Sequence, residues 1–159
     1  LGTGNPVIRV MPNTPTMVGA GMAAASMGAG VTAAHKQFVL GFLAATGKVI
    51  EVAEELQDAV TATSGSGPAY FFRFVEAMIA GARELGLSES DSKTLVIQTI
   101  AGAAEMLKQD GASPTKLREN VTSPNGTTFA ALQVFEVNDL EGIIKKAMTA
   151  ARDRSQELS

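Results

Sequence analysis

Cysteine and tryptophan are missing from the 159 residues, His35 is the one histidine and Tyr70 the one tyrosine. Without cysteine there is no disulfide staple and no thiolate metal site, and a reducing cytoplasmic setting is permitted. One histidine does not make a metal site, so no metal is expected. No apolar run reaches the ~18 residues that span a bilayer, so no membrane partner is expected. A net charge of -3, with no cluster of Lys or Arg beyond Lys145-Lys146, lacks the basic footprint of a nucleic-acid binder, so nucleic acid is not expected as a partner either.

What is present is 45% hydrophobic residues with few of them aromatic, which permits a real core but one built by close approach of helices whose small side chains let backbones come near. Val7-Ile8-Arg9-Val10-Met11 is a β-branched run stopped by Pro12-Asn13-Thr14-Pro15, so it reads as a buried strand followed by a loop. Residues 21–27 read as extended, residues 32–45 have helical spacing through Phe38, Val39, Phe42 and Leu43, and residues 48–52 are strand-like again. Strand, strand, helix, strand is the alternation of an α/β sheet, yet too little to close one. The chain therefore reads as starting in mid-protein, and Leu1 is not an initiator methionine.

After Glu54 strand-forming runs give way to helical periodicity, and a domain boundary is expected near residue 53. Over residues 68–85 the polar positions Arg73, Glu76, Arg83 and Glu84 leave Tyr70, Phe71, Phe72, Phe74, Val75, Met78 and Ile79 to cover most of the circumference. A helix apolar nearly all round must be buried, and a partner subunit is the economical source of cover. Ser88 with Asp91 three residues on is a variant capping box, with Leu87 at the staple position, opening a helix to about Gln109. Its expected inward face is Leu95, Val96, Ile100, Ala103, Ala104 and Leu107, with Gly102 tolerated because another backbone passes close. Ser113-Pro114 opens a short helix, a further helix runs to about Val137, and Asn138-Asp139 caps a last one that carries Arg152 and Arg154.

The stretch Asn120-Val121-Thr122-Ser123-Pro124-Asn125-Gly126-Thr127-Thr128 carries the most chemistry. It is a polar turn delivering the chain into a helix N-terminus, whose unpartnered N–H groups and positive dipole suit a carboxylate or phosphate. The bland alternative is that Thr127 or Thr128 simply caps the helix. Ser64-Gly65-Ser66-Gly67-Pro68 also precedes a helix, but neither a dinucleotide nor a Walker pattern can be written through it, so its glycines read as letting helices cross closely. Glu54 and Glu55 read first as acids well placed at a helix start. His35, at the exposed beginning of a helix, reads as a surface residue.

Taken in order and at their spacing, residues 7–15, then Ser64-Gly65-Ser66-Gly67-Pro68-Ala69-Tyr70, then residues 120–128 resemble the pyrroline-5-carboxylate reductase family. The resemblance covers essentially the whole chain, and its last motif is the most specific. It implies the last strands of a Rossmann domain over residues 1–53, followed by an all-helical dimerisation and substrate-binding domain over 54–159. It implies a homodimer, with dimers often assembled into rings, and a substrate that is pyrroline-5-carboxylate, reduced to proline by NADPH or NADH. Carried over by motif, Ser123, Gly126, Thr127 and Thr128 would hold the substrate carboxylate, and the Thr128 hydroxyl would meet the ring nitrogen as the catalytic contact. Asn120 would touch the cofactor, and Glu54 would lie by the substrate of its own or a neighbouring active site. Asn125 stands where many relatives carry Gly, and Asn also tolerates positive φ. No glycine-rich nucleotide fingerprint occurs in these residues, so this stretch alone is expected neither to bind NADPH well nor to turn over. Reduction of another cyclic imine or a β-hydroxyacid on the same architecture, and a helical dimerisation module without catalysis, are the alternatives.

Overall fold

The computed structural model describes residues 4–158. By contacts the chain divides into two compact units, one running to Tyr70 and resuming at Lys145, the other Phe71–Ile144. The first unit contains the sheet: β1 (Ile8–Met11), β2 (Gly21–Met27) and β3 (Gly47–Glu51), in the order β1-β2-β3. β1 lies antiparallel to β2, with Ile8 opposite Met27 and Met11 opposite Ala24. Their connection holds a 3-10 helix, Thr14–Val18, where the two prolines predict only a loop. β2 and β3 are parallel, with Gly21 opposite Gly47. A parallel pair needs a crossover, and α1 (Ala33–Ala44) supplies it.

β2 is the centre of this sheet and is covered on both faces, which is why it reads Gly-Met-Ala-Ala-Ala-Ser-Met and does not alternate. Ala23, Ala24, Ala25 and Ser26 are all buried, and α1 and α2 (Gln57–Val60) both reach this strand. The small side chains of this core lie on a strand, which corrects the expectation that they would let helices approach closely. Gly47, at φ 153, has no room for a side chain, since a Cβ there would collide with the carbonyl of Gly21.

Beyond β3 a 3-10 turn (Glu54–Leu56) leads into α2 and then into a π-helical turn, Thr61–Gly65. The helical turn begun by α2 is extended there, with the Ser66 N–H donating to the Thr61 carbonyl at 2.8 Å across five residues. Wider π register loosens the backbone ladder, and hydroxyl groups support the freed carbonyls. Thr61, Thr63 and Ser64 donate to the carbonyls of Gln57, Ala59 and Val60 at 2.9, 2.7 and 3.2 Å, and the Tyr70 hydroxyl donates to Ala62 at 3.0 Å. Gly65 and Gly67 do not make a close helix crossing within the chain: a Cβ on Gly65 would meet only ordinary contacts and one on Gly67 nothing within 4 Å.

The remaining helices are α3 (Gly67–Glu84), α4 (Glu89–Leu107), α5 (Pro114–Asn120), α6 (Thr127–Val137) and α7 (Leu140–Glu157). Ser88 caps α4 as its spacing predicts, accepting from the Asp91 N–H at 3.1 Å, while its own hydroxyl donates to the Asp91 carboxylate at 2.7 Å. Asn138 and Asp139 divide the work at the next junction. The Asn138 amide donates to the Val134 carbonyl at 2.8 Å and closes α6, and the Asp139 carboxylate accepts from the Gly142 N–H at 3.1 Å and opens α7.

α3 is left uncovered within the chain, as the expectation of cover from a partner subunit requires: Phe71, Phe72, Phe74 and Met78 are exposed, and only Gly67 of this helix is buried. Two other packing expectations are corrected. The inward stripe of α4 is Ser92, Val96 and Ile100, whereas Leu95 and Leu107 lie about half exposed, so the predicted face is rotated. Among the described residues nothing comes within 4 Å of a Cβ placed on Gly102, so the close passage of another backbone expected there is not found within the chain. Among the described residues no helix is long and apolar enough to cross a membrane.

Candidate functional site

Asn120 is the last residue of α5, and the Thr122 hydroxyl donating to the Arg118 carbonyl at 2.6 Å holds the chain as it leaves that helix. A tight turn follows. The Gly126 N–H donates to the Ser123 carbonyl at 3.0 Å, with Pro124 and Asn125 at the two central positions. Asn125 has φ 58, so Pro followed by a residue with positive φ makes the pattern of a type II turn. Asn at this position tolerates the left-handed backbone because its short amide can bond locally, as expected from the sequence.

Gly126 is the N-cap of α6, with φ -79 and ψ 176, and no side chain caps the helix. The reading in which Thr127 or Thr128 serves as the cap is thereby corrected: both lie inside the first turn. A Cβ on Gly126 would overlap the Ser123 Oγ, which that hydroxyl can relieve by rotating, and would come within 3.1 Å of the Ser123 carbonyl, so the turn is tight at this position. The result is a cluster in which Ser123, Gly126, Thr127 and Thr128 present hydroxyls and backbone N–H groups from one loop and one helix end. Ser123 and Thr127 are exposed; Gly126 and Thr128 are half-buried. Such an end carries partial positive charge and open donors, so it suits an anion the size of a carboxylate.

Glu54 belongs to the first unit, where it opens the 3-10 turn together with Glu55. Its carboxylate pairs with the Arg9 guanidinium of β1 at 2.6 Å, with both side chains roughly half exposed. Arg9 was legible only as a charge inside a strand-forming run. Asn13, read as a loop residue, is also a working contact. Its amide donates to the Ser64 carbonyl at 3.1 Å and accepts from the Met22 N–H at 2.8 Å. His35 is exposed and caps α1 jointly with Thr32, its Nδ1 accepting from the Thr32 N–H at 3.3 Å. Among the described residues no group of acidic or imidazole side chains could hold a metal ion. A cleft of about 320 Å³ runs beside α5 and α6, lined by Arg118, Glu119, Thr122, Phe129, Leu132, Gln133 and Glu136. It adjoins the loop without including its donors.

Comparison with known proteins covers this loop and its helices. Residues 54–158 match the family model described as pyrroline-5-carboxylate reductase dimerisation. The chain belongs to the pyrroline-5-carboxylate reductase family. It is 46% identical to the pyrroline-5-carboxylate reductase of Corynebacterium melassecola over 155 residues, which covers 98% of the chain and 57% of that protein. It is 44% identical to the one of Pseudomonas aeruginosa, covering 100% of the chain and 59% of the relative. Among solved structures, the pyrroline-5-carboxylate reductase of Coxiella burnetii superposes with a TM-score of 0.95 at 40% identity, over the whole chain and 59% of that protein. The Plasmodium falciparum pyrroline carboxylate reductase, solved with NADP bound, gives 0.92 at 36% identity, over 98% of the chain and 63% of its own. The chain thus spans somewhat over half the length of these relatives. Its fold is the one the resemblance implies for this stretch of the family, an α/β remnant followed by an all-α part.

Proposed function

We propose that the complete protein carrying this chain reduces L-1-pyrroline-5-carboxylate to L-proline with NADPH or NADH, in the cytoplasm, as a homodimer that assembles further into rings. The division that goes with this reading sets residues 1–53 as the end of a Rossmann domain and 54–159 as the dimerisation and substrate domain. The observation that carries it is the helix end at α6, which no side chain caps and which the turn through Asn125 opens toward Ser123 and Thr127. A substrate that is a small cyclic acid needs just such a cradle. Each charge-assisted bond from an N–H or hydroxyl to its carboxylate contributes ~1.5–3 kcal/mol, so two or three of them decide binding and orientation.

In this reading Ser123, Gly126, Thr127 and Thr128 take the carboxylate, and the Thr128 hydroxyl meets the ring nitrogen. Glu54 lies by the substrate with Arg9 holding its carboxylate in place. Asn120, exposed at the end of α5, has both an amide donor and an acceptor for the carboxamide of the cofactor. The nicotinamide, when bound, supplies the hydride. The protein's own part is to orient the C=N bond and to balance charge, which fits a loop without His, Lys or Cys. No glycine-rich fingerprint occurs in the sequence, so the pyrophosphate of the cofactor has its cradle outside these residues. The homodimer is supported by the apolar side chains that α3 leaves uncovered and by the description of the matched family.

The test is a comparison of turnover in the complete protein with pyrroline-5-carboxylate and with its six-membered-ring analogue. The expected result is a higher kcat/KM for the five-membered ring by ~10-fold or more. Equal or reversed preference would move the activity to another imine.

A further inference from the structure

We propose that Thr122 is a positioning residue of the carboxylate cradle, fixing where Ser123 stands without itself touching the substrate. This inference rests on the function proposed above. The stretch from Asn120 to Thr128 carries hydroxyls on Thr122, Ser123, Thr127 and Thr128, all within the unit Phe71–Ile144. Among the described residues of this stretch, the one side-chain group bonded within the chain is the Thr122 hydroxyl, which donates to the Arg118 carbonyl at 2.6 Å. Thr122 is half-buried, whereas Ser123 and Thr127 are exposed. The chain therefore commits this hydroxyl to itself and leaves the other three open to a ligand.

The backbone shows why a side chain is needed there. In a continued helix the Thr122 N–H would donate to the Arg118 carbonyl, but it donates to the Glu119 carbonyl instead, at 3.0 Å. The chain has tightened to 3-10 spacing and is turning away, and the hydroxyl takes the place that the N–H has left. The Val121 N–H also reaches the Arg118 carbonyl, at 3.3 Å. Of these two bonds the hydroxyl's is well within the usual range and the amide's is at its edge. Ser123 follows directly. Its carbonyl accepts from the Gly126 N–H at 3.0 Å, and the Gly126 carbonyl accepts from the Ala130 N–H at 3.1 Å as α6 begins. Thr127 and Thr128 are thus held by the ladder of α6. Ser123 lies outside both helices, and Thr122 is the residue that fastens it to α5.

A carboxylate remote from the reacting C=N bond is gripped alike before and during hydride transfer, so a donor out of place weakens binding more than turnover. Without the Thr122 tie, Ser123 samples positions from which it cannot reach the acid. Thr128, set by α6, still meets the ring nitrogen. Loss of the hydroxyl should therefore raise KM for the imine and leave kcat and the KM for the cofactor nearly as they were.

The test uses the complete protein with Thr122→Val, which keeps the branched shape and removes the donor, and Thr122→Ser, which keeps the donor and removes the methyl. Thr122→Ala is a second test of the same loss. In the Val and Ala variants KM for pyrroline-5-carboxylate is expected to rise ~10-fold, with kcat and KM for NADPH within ~3-fold of the original. The Ser variant is expected to return KM to within ~3-fold. Hydrogen exchange at the Val121, Thr122 and Gly126 amides, which needs no substrate, is expected to quicken ~10-fold in the Val variant and not in the Ser variant, with α4 unchanged. Unchanged KM, a fall in kcat at constant KM, no recovery with Ser, or unchanged exchange would each overturn the proposal. A parent protein that reduces no pyrroline-5-carboxylate would instead overturn the function reading, and the positioning role with it, whatever the exchange rates.

Discussion

Thr128 lies one residue inside α6, half-buried, beside backbone donors that no side chain satisfies. A hydroxyl so placed is spare for a ligand, where a capping hydroxyl would be spent on its own helix. Thr128→Ala in the complete protein should slow imine reduction ~10-fold or more, equivalent to ~1.4 kcal/mol, measured as steady-state kcat/KM. An unaltered rate would remove Thr128 from the reaction. Single residues were also where the sequence spoke unevenly. Asn125 was readable as a positive-φ position because few side chains share its tolerance, and it has φ 58. Arg9 and Asn13 were not readable as partners of Glu54 and Ser64, since nothing local marks a bond between residues 45 and 51 positions apart.

At the scale of elements, hydrophobic period and cap chemistry located the strands and helices to within a residue or two, because each signal is local. Ser88→Ala tests one of them. It removes the hydroxyl that accepts from the Asp91 N–H, so the chain should lose ~1 kcal/mol of stability in chemical denaturation, within the range of about 0.5–2 seen for caps. Loss of nothing would mean that Asp91 or solvent replaces the cap. Two features escaped the sequence for physical reasons. The π register of Thr61–Gly65 leaves the apolar pattern almost as it is, and its one trace is the set of hydroxyls at 61, 63 and 64. The face of α4 was misjudged because apolar residues cover much of that helix, and a buried serine, Ser92, marks the stripe that leucines were expected to mark.

For the whole chain, the large apolar side chains that remain uncovered are concentrated on helices: Phe71 and Phe72 on α3, Leu95 on α4, Val134 on α6, Ile143 and Ile144 on α7. Surfaces of this kind mark sites of association. The isolated chain should therefore be at least dimeric in light scattering at micromolar concentration, and a stable monomer would refute this. The fully buried apolar residues among the described ones, by contrast, are Ala23, Ala24, Ala25, Ala62 and Val96. In most proteins the interior is hurt chiefly by trimming large side chains; here there is almost nothing to trim. A saturation survey should find Ala23, Ala24 and Ala25 intolerant of larger side chains, while the half-buried Met22 and Met27 at the ends of the same strand accept replacements of their own size.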